Sequence, residues 1–228
     1  MRIARIRTLL LAGVSSIAIT VGVSTNEARA QVPVYNWSGF YIGINAGAGA
    51  LDHRQTYVDE NGLCGDFSGA SCSLTTTGLV FGGHAGYLWQ SGMIAYGIEG
   101  DLGFANLKST AAAGCCGYTL TGHIDALASI RGRIGIVHNA FFIYATGGLG
   151  LGSVKSGWLG DGYGGNISEW KAGPVVGAGI EYALNPRTTF RSEILYYDLG
   201  TTAATIAGYR TEFNHRVTVV RFGLSLKW

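Results

Sequence analysis

From Phe40 to Gly47 the chain alternates without a break. Phe40, Ile42, Ile44 and Ala46 fall on one face, and Tyr41, Gly43, Asn45 and Gly47 on the other. A period of two places successive side chains on opposite sides of a strand. Comparable runs follow at about 77–90, 93–105, 120–137, 140–154, 171–183, 187–199 and 215–228, which predicts eight strands. Ser91-Gly92, His138-Asn139 and Asn185-Pro186 lie at tight connections and supply suitable turn residues. The other connections, at about 51–76, 106–119, 155–170 and 200–214, are long and polar or glycine-rich. Short turns alternating with long loops, between strands long enough to cross a bilayer obliquely, are the plan of a transmembrane barrel.

Alternation alone leaves the inward face open, since a soluble eight-stranded ligand carrier has the same period with its apolar side inside. In the fourth predicted strand, Ile124, Ala126, Ala128, Ile130, Ile134 and Ile136 form a continuous apolar face, while the opposite face carries charges at mid-strand. Only 13% of residues are charged, too few to solvate the exterior of a soluble barrel. Aromatic residues form two bands. Trp37, Phe40, Tyr87, Trp89, Phe141, Tyr182, Phe190 and Trp228 lie toward the short turns. Tyr118, Trp158, Trp170, Tyr196, Tyr197 and Tyr209 lie toward the long loops. Bilayer interfaces select such belts. The expected fold is all-β: an eight-stranded antiparallel up-and-down transmembrane β-barrel.

Residues 1–30 read as a cleaved signal peptide. Arg2, Arg5 and Arg7 precede an apolar run from Leu9 to Val23, and Ala28-Arg29-Ala30 supplies the small-x-small cleavage pattern. The apolar run is too short for a spanning helix. The barrel domain is then 31–228. Removing the leader turns a formal charge of +2 into −1, because the leader holds Arg2, Arg5, Arg7, Arg29 and Glu27. The remaining chain has no basic surface excess, and no nucleic-acid partner is expected.

Trp37-Ser38-Gly39-Phe40-Tyr41-Ile42-Gly43, followed by Asn45, Gly47 and Gly49, resembles the first strand of a known group. Ser129, Arg131, Gly132, Arg133, Ile134 and Gly135 are similar to its S-x-R-x-R-x-G strand, and Val220 to Trp228 to its last strand. On these motifs the chain resembles the small outer-membrane β-barrel proteins of α-proteobacteria, the 25/31-kilodalton surface-antigen family related to OmpA-like barrels. The resemblance implies a Gram-negative outer-membrane location, periplasmic termini, extracellular long loops, and contact with outer-membrane lipid and lipopolysaccharide. It also implies handling by periplasmic chaperones and by the barrel-assembly machinery. The alternating Phe222, Leu224, Leu226 and Trp228 resemble the signal that this machinery reads, with Trp where Phe is usual.

Alternation sends Glu99, Asp101, Asp125, Arg131, Arg133, Glu181, Arg191, Glu193, Arg221 and Lys227 into the lumen. An eight-stranded barrel has room for side chains and little else, so these charges are expected to pair as an ionic plug. The competing reading is a narrow conductance, with water in space left by Gly148, Gly150, Gly177 and Gly179. His84 and His123 are expected on the same inward face as hydrogen-bonded histidines, with no metal-ligand spacing beside them. Cys64, Cys72, Cys115 and Cys116 fall in the first two long loops and are disulfide candidates in an oxidising compartment, Cys64 with Cys72 being the first choice. No outward histidine has a serine and an acid at usable spacing, so neither enzymatic activity nor a cofactor is expected. The expected function is a structural outer-membrane barrel contributing to envelope integrity, with a passive porin and a surface adhesin as alternatives. Deleting about 51–76 and 200–214 is expected to leave folding intact.

Overall fold

The computed structural model describes residues 35–57, 71–111, 119–160, 163–206 and 209–228. The expected leader, Cys64, Cys115 and Cys116 lie outside the described residues, and of Cys72 only its place opposite Gln55 in the strand register is described. Eight strands run in chain order: β1 Gly39–Tyr57, β2 Ser71–Ser91, β3 Ile94–Ala111, β4 Thr119–His138, β5 Phe141–Gly160, β6 Tyr163–Asn185, β7 Thr188–Ile206 and β8 Tyr209–Lys227. Each pairs antiparallel with its neighbour, and β8 returns to β1 from Tyr41↔Lys227 to Tyr57↔Thr211, closing the barrel. Closure leaves no free edge through the middle of the wall, the condition for a sheet to sit in lipid; toward the long hairpins the β2–β3 ladder ends at Val80↔Ala105 and the β6–β7 ladder at Val175↔Tyr197.

The tight turns fall where turn residues predict them. Gly92 and Asn139 both adopt the left-handed conformation, with φ of 60° and 52°. Glycine does so without a Cβ clash, and asparagine tolerates it better than most side chains.

The strands are longer than the hydrophobic pattern indicates. The described residues of 51–76, 106–119, 155–170 and 200–214 are strand, not loop; the backbone ladder continues through them. Thr75, Thr76 and Thr77 pair with Asp52, Leu51 and Ala50 in an ordinary antiparallel register. Apolar alternation stops where lipid stops, while β-prone polar residues carry the ladder into water. Deleting 51–76 and 200–214 would therefore remove parts of four strands, β1, β2, β7 and β8, and not loops alone.

The outward face is apolar across the middle of the wall, where Ile44, Leu102, Ile130 and Ile143 are all more than half exposed. At the turn end stand Phe40, Tyr87, Trp89, Tyr96, Phe141, Tyr182, Phe190 and Trp228, and at the other end Trp170 and Tyr196. Two expected members of the belts point elsewhere. Trp37 and Tyr197 are buried inside the barrel.

Alternation fails at one place in β4. The register shifts between Ile124 and Ala126, leaving Asp125 as an extra residue opposite β5. The bulge flips parity above it, so Ile124 is fully buried in the lumen and not on the lipid face. His123 and Asp125, expected inside, are instead partly exposed and bonded to each other at 2.7 Å.

Candidate functional site: the barrel lumen

The inward side chains form three layers. Nearest the turn end, Tyr35, Trp37, Tyr41, Leu88, Ala95, Val137, Phe142 and Tyr144 pack together. Toward the long-hairpin end, Leu51, Val80, Ala105, Leu107, Ile124, Leu127, Val154, Val175, Leu195, Tyr197, Leu199, Val217 and Val219 form a second apolar layer drawn from all eight strands. Between them lie four acids and four bases: Glu99, Asp101, Glu181, Glu193, Arg131, Arg133, Arg191 and Arg221, all buried.

Glu99 is the centre of the ionic layer. Its Oε1 accepts from Arg131 Nη2 at 2.6 Å and from Arg191 Nη2 at 3.2 Å. Its Oε2 accepts from Arg191 Nη1 at 2.5 Å, Arg133 Nη1 at 3.0 Å and the Tyr41 hydroxyl at 2.8 Å. Arg131 reaches on to Asp101 at 3.0 Å and to Glu193 at 3.0 Å. Arg221 bridges the same two acids, with Nε to Glu193 at 2.9 Å and Nη1 to Asp101 at 3.1 Å. Arg133 binds Glu181 at 2.7 Å and lays its guanidinium 3.9 Å from the Tyr144 ring centre. Hydroxyls complete the acids: Ser129 donates to Asp101, Thr189 to Glu181 at 2.5 Å, and Tyr144 to Glu193 at 3.1 Å. The layer is neutral in sum and its carboxylates are saturated with donors, the conditions under which buried charge is tolerated.

Two expected lumen charges stand apart from this network. Asp125 is carried to the outer face by the bulge and binds His123 and Lys155. Lys227 faces the mouth at the turn end, where its ammonium donates to the Asn36 carbonyl and lies 4.9 Å from the Tyr35 ring centre. His84 is buried inside, with Nε2 2.9 Å from the Ser225 hydroxyl and Nδ1 3.4 Å from the Asn45 amide.

The inward glycines are sockets for side chains of neighbouring strands, not water space. A Cβ at Gly150 would stand 2.6 Å from Tyr197, one at Gly179 2.5 Å from the Tyr144 hydroxyl, and one at Gly177 2.6 Å from Leu195. At Gly148 a Cβ would meet the backbone of Ile130 and Arg131. The lumen is packed because glycine on one strand admits a ring or a guanidinium from another.

Residues 35–38 close the turn end, a feature that the alternation pattern does not reveal because they precede β1. Trp37 enters the barrel and lies 5.4 Å from Phe142, ring centre to ring centre. Its backbone N–H donates to Gln90 Oε1 at 2.7 Å, and the Ser38 hydroxyl accepts from the Gln90 N–H at 2.8 Å. Burial near Glu181 pushes the Tyr35 phenol up to about 12. On the outer wall, a groove of about 1120 Å³ passes over Gly83 and Gly100 between Ile44, Leu102 and Ile130, on the face that meets lipid.

Comparison with known proteins agrees with this architecture. The chain is similar to the 31 kDa outer-membrane immunogenic protein of Brucella melitensis, 35% identical over 82% of each chain. It is also similar to the 25 kDa outer-membrane immunogenic protein of Brucella abortus, 26% identical over 86% of this chain and 81% of that one. Among solved structures, it resembles the outer membrane protein OprG from Pseudomonas aeruginosa, with a TM-score of 0.47, 16% identity, and coverage of 85% of this chain and 98% of that one. Residues 15–227 match the outer membrane protein beta-barrel domain. With a match that spans nearly the whole chain and a closed barrel banded for lipid, the protein belongs to the outer-membrane β-barrel family and resides in the outer membrane.

Proposed function

We propose that this barrel is a structural element of the outer membrane: a non-conducting wall that contributes to envelope integrity and carries its long hairpins to the cell exterior. The observation that carries this reading is the layered lumen. A conducting pore needs a continuous wet path, or a constriction that can rehydrate. Here the ionic layer is sealed on one side by aliphatic side chains from all eight strands and on the other by Trp37, Phe142 and their neighbours. The charges face each other at 2.5–3.2 Å, so the carboxylates are engaged with protein, while Nε of Arg131, Arg133 and Arg191 is buried without a hydrogen-bond partner among the described residues. The runner-up, a passive porin, would require both apolar layers to part.

The same packing supports the view that the protein is not an enzyme. Ser225, His84 and Asn45 form a hydrogen-bonded row, yet all three are buried in the packed lumen, where a substrate has no entry. The outward Phe222, Leu224, Leu226 and Trp228 at the end of β8 support recognition of the last strand by the barrel-assembly machinery. Purified protein in planar lipid bilayers is the direct test. No conductance above the lipid background is expected, and steady unitary currents would overturn the reading. In cells, loss of the protein is expected to raise sensitivity to detergent and to chelators. An unchanged envelope in its absence would count against the structural role.

A further inference from the structure

The bulge in β4 does more than shift a register. By turning Asp125 outward it builds a polar cluster on the outer wall, at the end of the apolar band farthest from the short turns. Lys108 of β3, His123 of β4 and Lys155 of β5 occupy consecutive register positions on three adjacent strands. Asp125 Oδ1 lies 2.7 Å from His123 Nε2, and Oδ2 lies 2.5 Å from Lys155 Nζ. Lys108 is exposed, and its ammonium has no ion-pair partner among the described residues. Directly below the cluster the outward side chains are apolar, with Phe104 opposite Ala126 and 66% exposed. Beside it, Trp170 of β6 is 61% exposed. The cluster therefore sits where hydrocarbon gives way to headgroups.

Among the described side chains of this collar, charges are unevenly paired. On β3 to β5, two lysines and a histidine meet a single acid. Across the barrel, Arg216 of β8 lies between two outward acids, Asp198 of β7, 3.7 Å away, and Asp52 of β1. Arg216 is thus flanked by an acid on each neighbouring strand, whereas His123 and Lys155 share the single carboxylate of Asp125. A cationic patch at headgroup depth with a carboxylate fixing its lysine and histidine has the chemistry to hold an anionic group: the carboxylate orders the donors, and the surplus lysine charge attracts the ligand.

We propose that Lys108, His123 and Lys155, ordered by Asp125, form a docking site for the phosphate-bearing sugar headgroup of an outer-leaflet glycolipid. The site rests on the outer-membrane location and is independent of whether the lumen conducts. It gives the barrel a fixed lipid neighbour on the β3–β5 side.

The test uses the mature protein refolded into phosphatidylcholine nanodiscs carrying a minor fraction of lipopolysaccharide, with retained lipopolysaccharide quantified after exchange into detergent. Wild type is expected to retain it. The Lys108→Gln/Lys155→Gln variant, its folding verified by heat-modifiable migration, is expected to lose about thirtyfold in apparent affinity, each cation at an anionic surface being worth roughly a fivefold change. Arg216→Gln, on the opposite side, is expected to retain the wild-type level. Dephosphorylated lipopolysaccharide is expected to bind wild type as weakly as the phosphorylated form binds the double variant, and phosphatidylglycerol in its place is expected to be exchanged away. Retention by the folded double variant at the wild-type level overturns the proposal, as does equal retention of the dephosphorylated lipid. Should the double variant fail to fold, Lys108→Arg/Lys155→Arg and a salt titration of wild type decide. Retention is then expected in the arginine variant and release with rising salt; salt-independent retention overturns the site.

Discussion

Replacing Glu99 by glutamine probes the lumen at its most connected point. The substitution keeps the shape of the side chain and removes one negative charge, so four arginines face three carboxylates. Arg131, Arg133 and Arg221 keep other acids, namely Asp101, Glu181 and Glu193. Among the described residues, the salt bridge of Arg191 is to Glu99. In Glu99→Gln one amide oxygen can still accept, but the new NH₂ points donors at guanidinium donors. The expected cost is that of breaking a buried pair and stranding its partner, about 3–5 kcal/mol. The assay is urea unfolding of the refolded protein in lipid vesicles, read by tryptophan fluorescence and by heat-modifiable migration. Adding Arg191→Met restores charge balance and places an apolar side chain beside Tyr41 and Tyr144, so the double variant should recover at least about 1 kcal/mol relative to Glu99→Gln alone. A single variant within about 0.5 kcal/mol of wild type, or a double variant whose costs simply add, would refute the claim that the network is a coupled, desolvated unit.

Three further outcomes are expected. Gly150→Val drives a branched side chain into the Tyr197 ring and should cost about 1–3 kcal/mol, relieved in part by Tyr197→Leu, as read from unfolding midpoints. Ile130→Lys, on the lipid face at mid-wall, should cost about 2–4 kcal/mol, whereas Thr75→Lys at the outer end should cost less than about 1 kcal/mol; equal costs would misplace the membrane along the wall. Trp37→Ala should lower stability by about 3–5 kcal/mol through the cavity it leaves, yet yield no current in planar bilayers, because the ionic and aliphatic layers above it remain.

The strand count, the tight turns and eight of the ten lumen positions were legible in the sequence because alternation is a local property and parity propagates along a strand. Parity is also why the exceptions cluster. Counting through a bulge puts Asp125, His123 and Ile124 on the wrong faces, and a bulge leaves no mark in a pattern where Ile, Asp, Ala and Leu succeed one another. Tyr197 follows Tyr196 in the sequence, and only strand phase separates the lipid-facing ring from the lumenal one. Which arginine meets which acid was not legible at all. Arg221 and Asp101 are 120 residues apart, and their meeting depends on closure of the barrel and on the tilt of strands whose shear no single strand encodes. The stopper at Trp37 was hidden for a different reason: its burial depends on a cavity that exists only once the ring has closed.

The layering also bears on why so much charge is kept where apolar side chains of similar volume would cost less to bury. Each strand could in principle pair one residue out of step, and such a slip turns every inward side chain outward. With an all-apolar lumen the slipped barrel would present one apolar face to lipid and another to the lumen, and little would oppose it. With Glu99 and Asp101 on β3, Arg131 and Arg133 on β4, Glu181 on β6, Arg191 and Glu193 on β7, and Arg221 on β8, a slip in any of these strands sends charge into hydrocarbon. At roughly 2–4 kcal/mol for each arginine near the bilayer midplane, the penalty for moving Arg131 and Arg133 together approaches the whole stability of an ordinary domain. The apolar caps strengthen this discrimination. By excluding water from the ionic layer they raise the attraction between correctly paired charges and the cost of any that are left over.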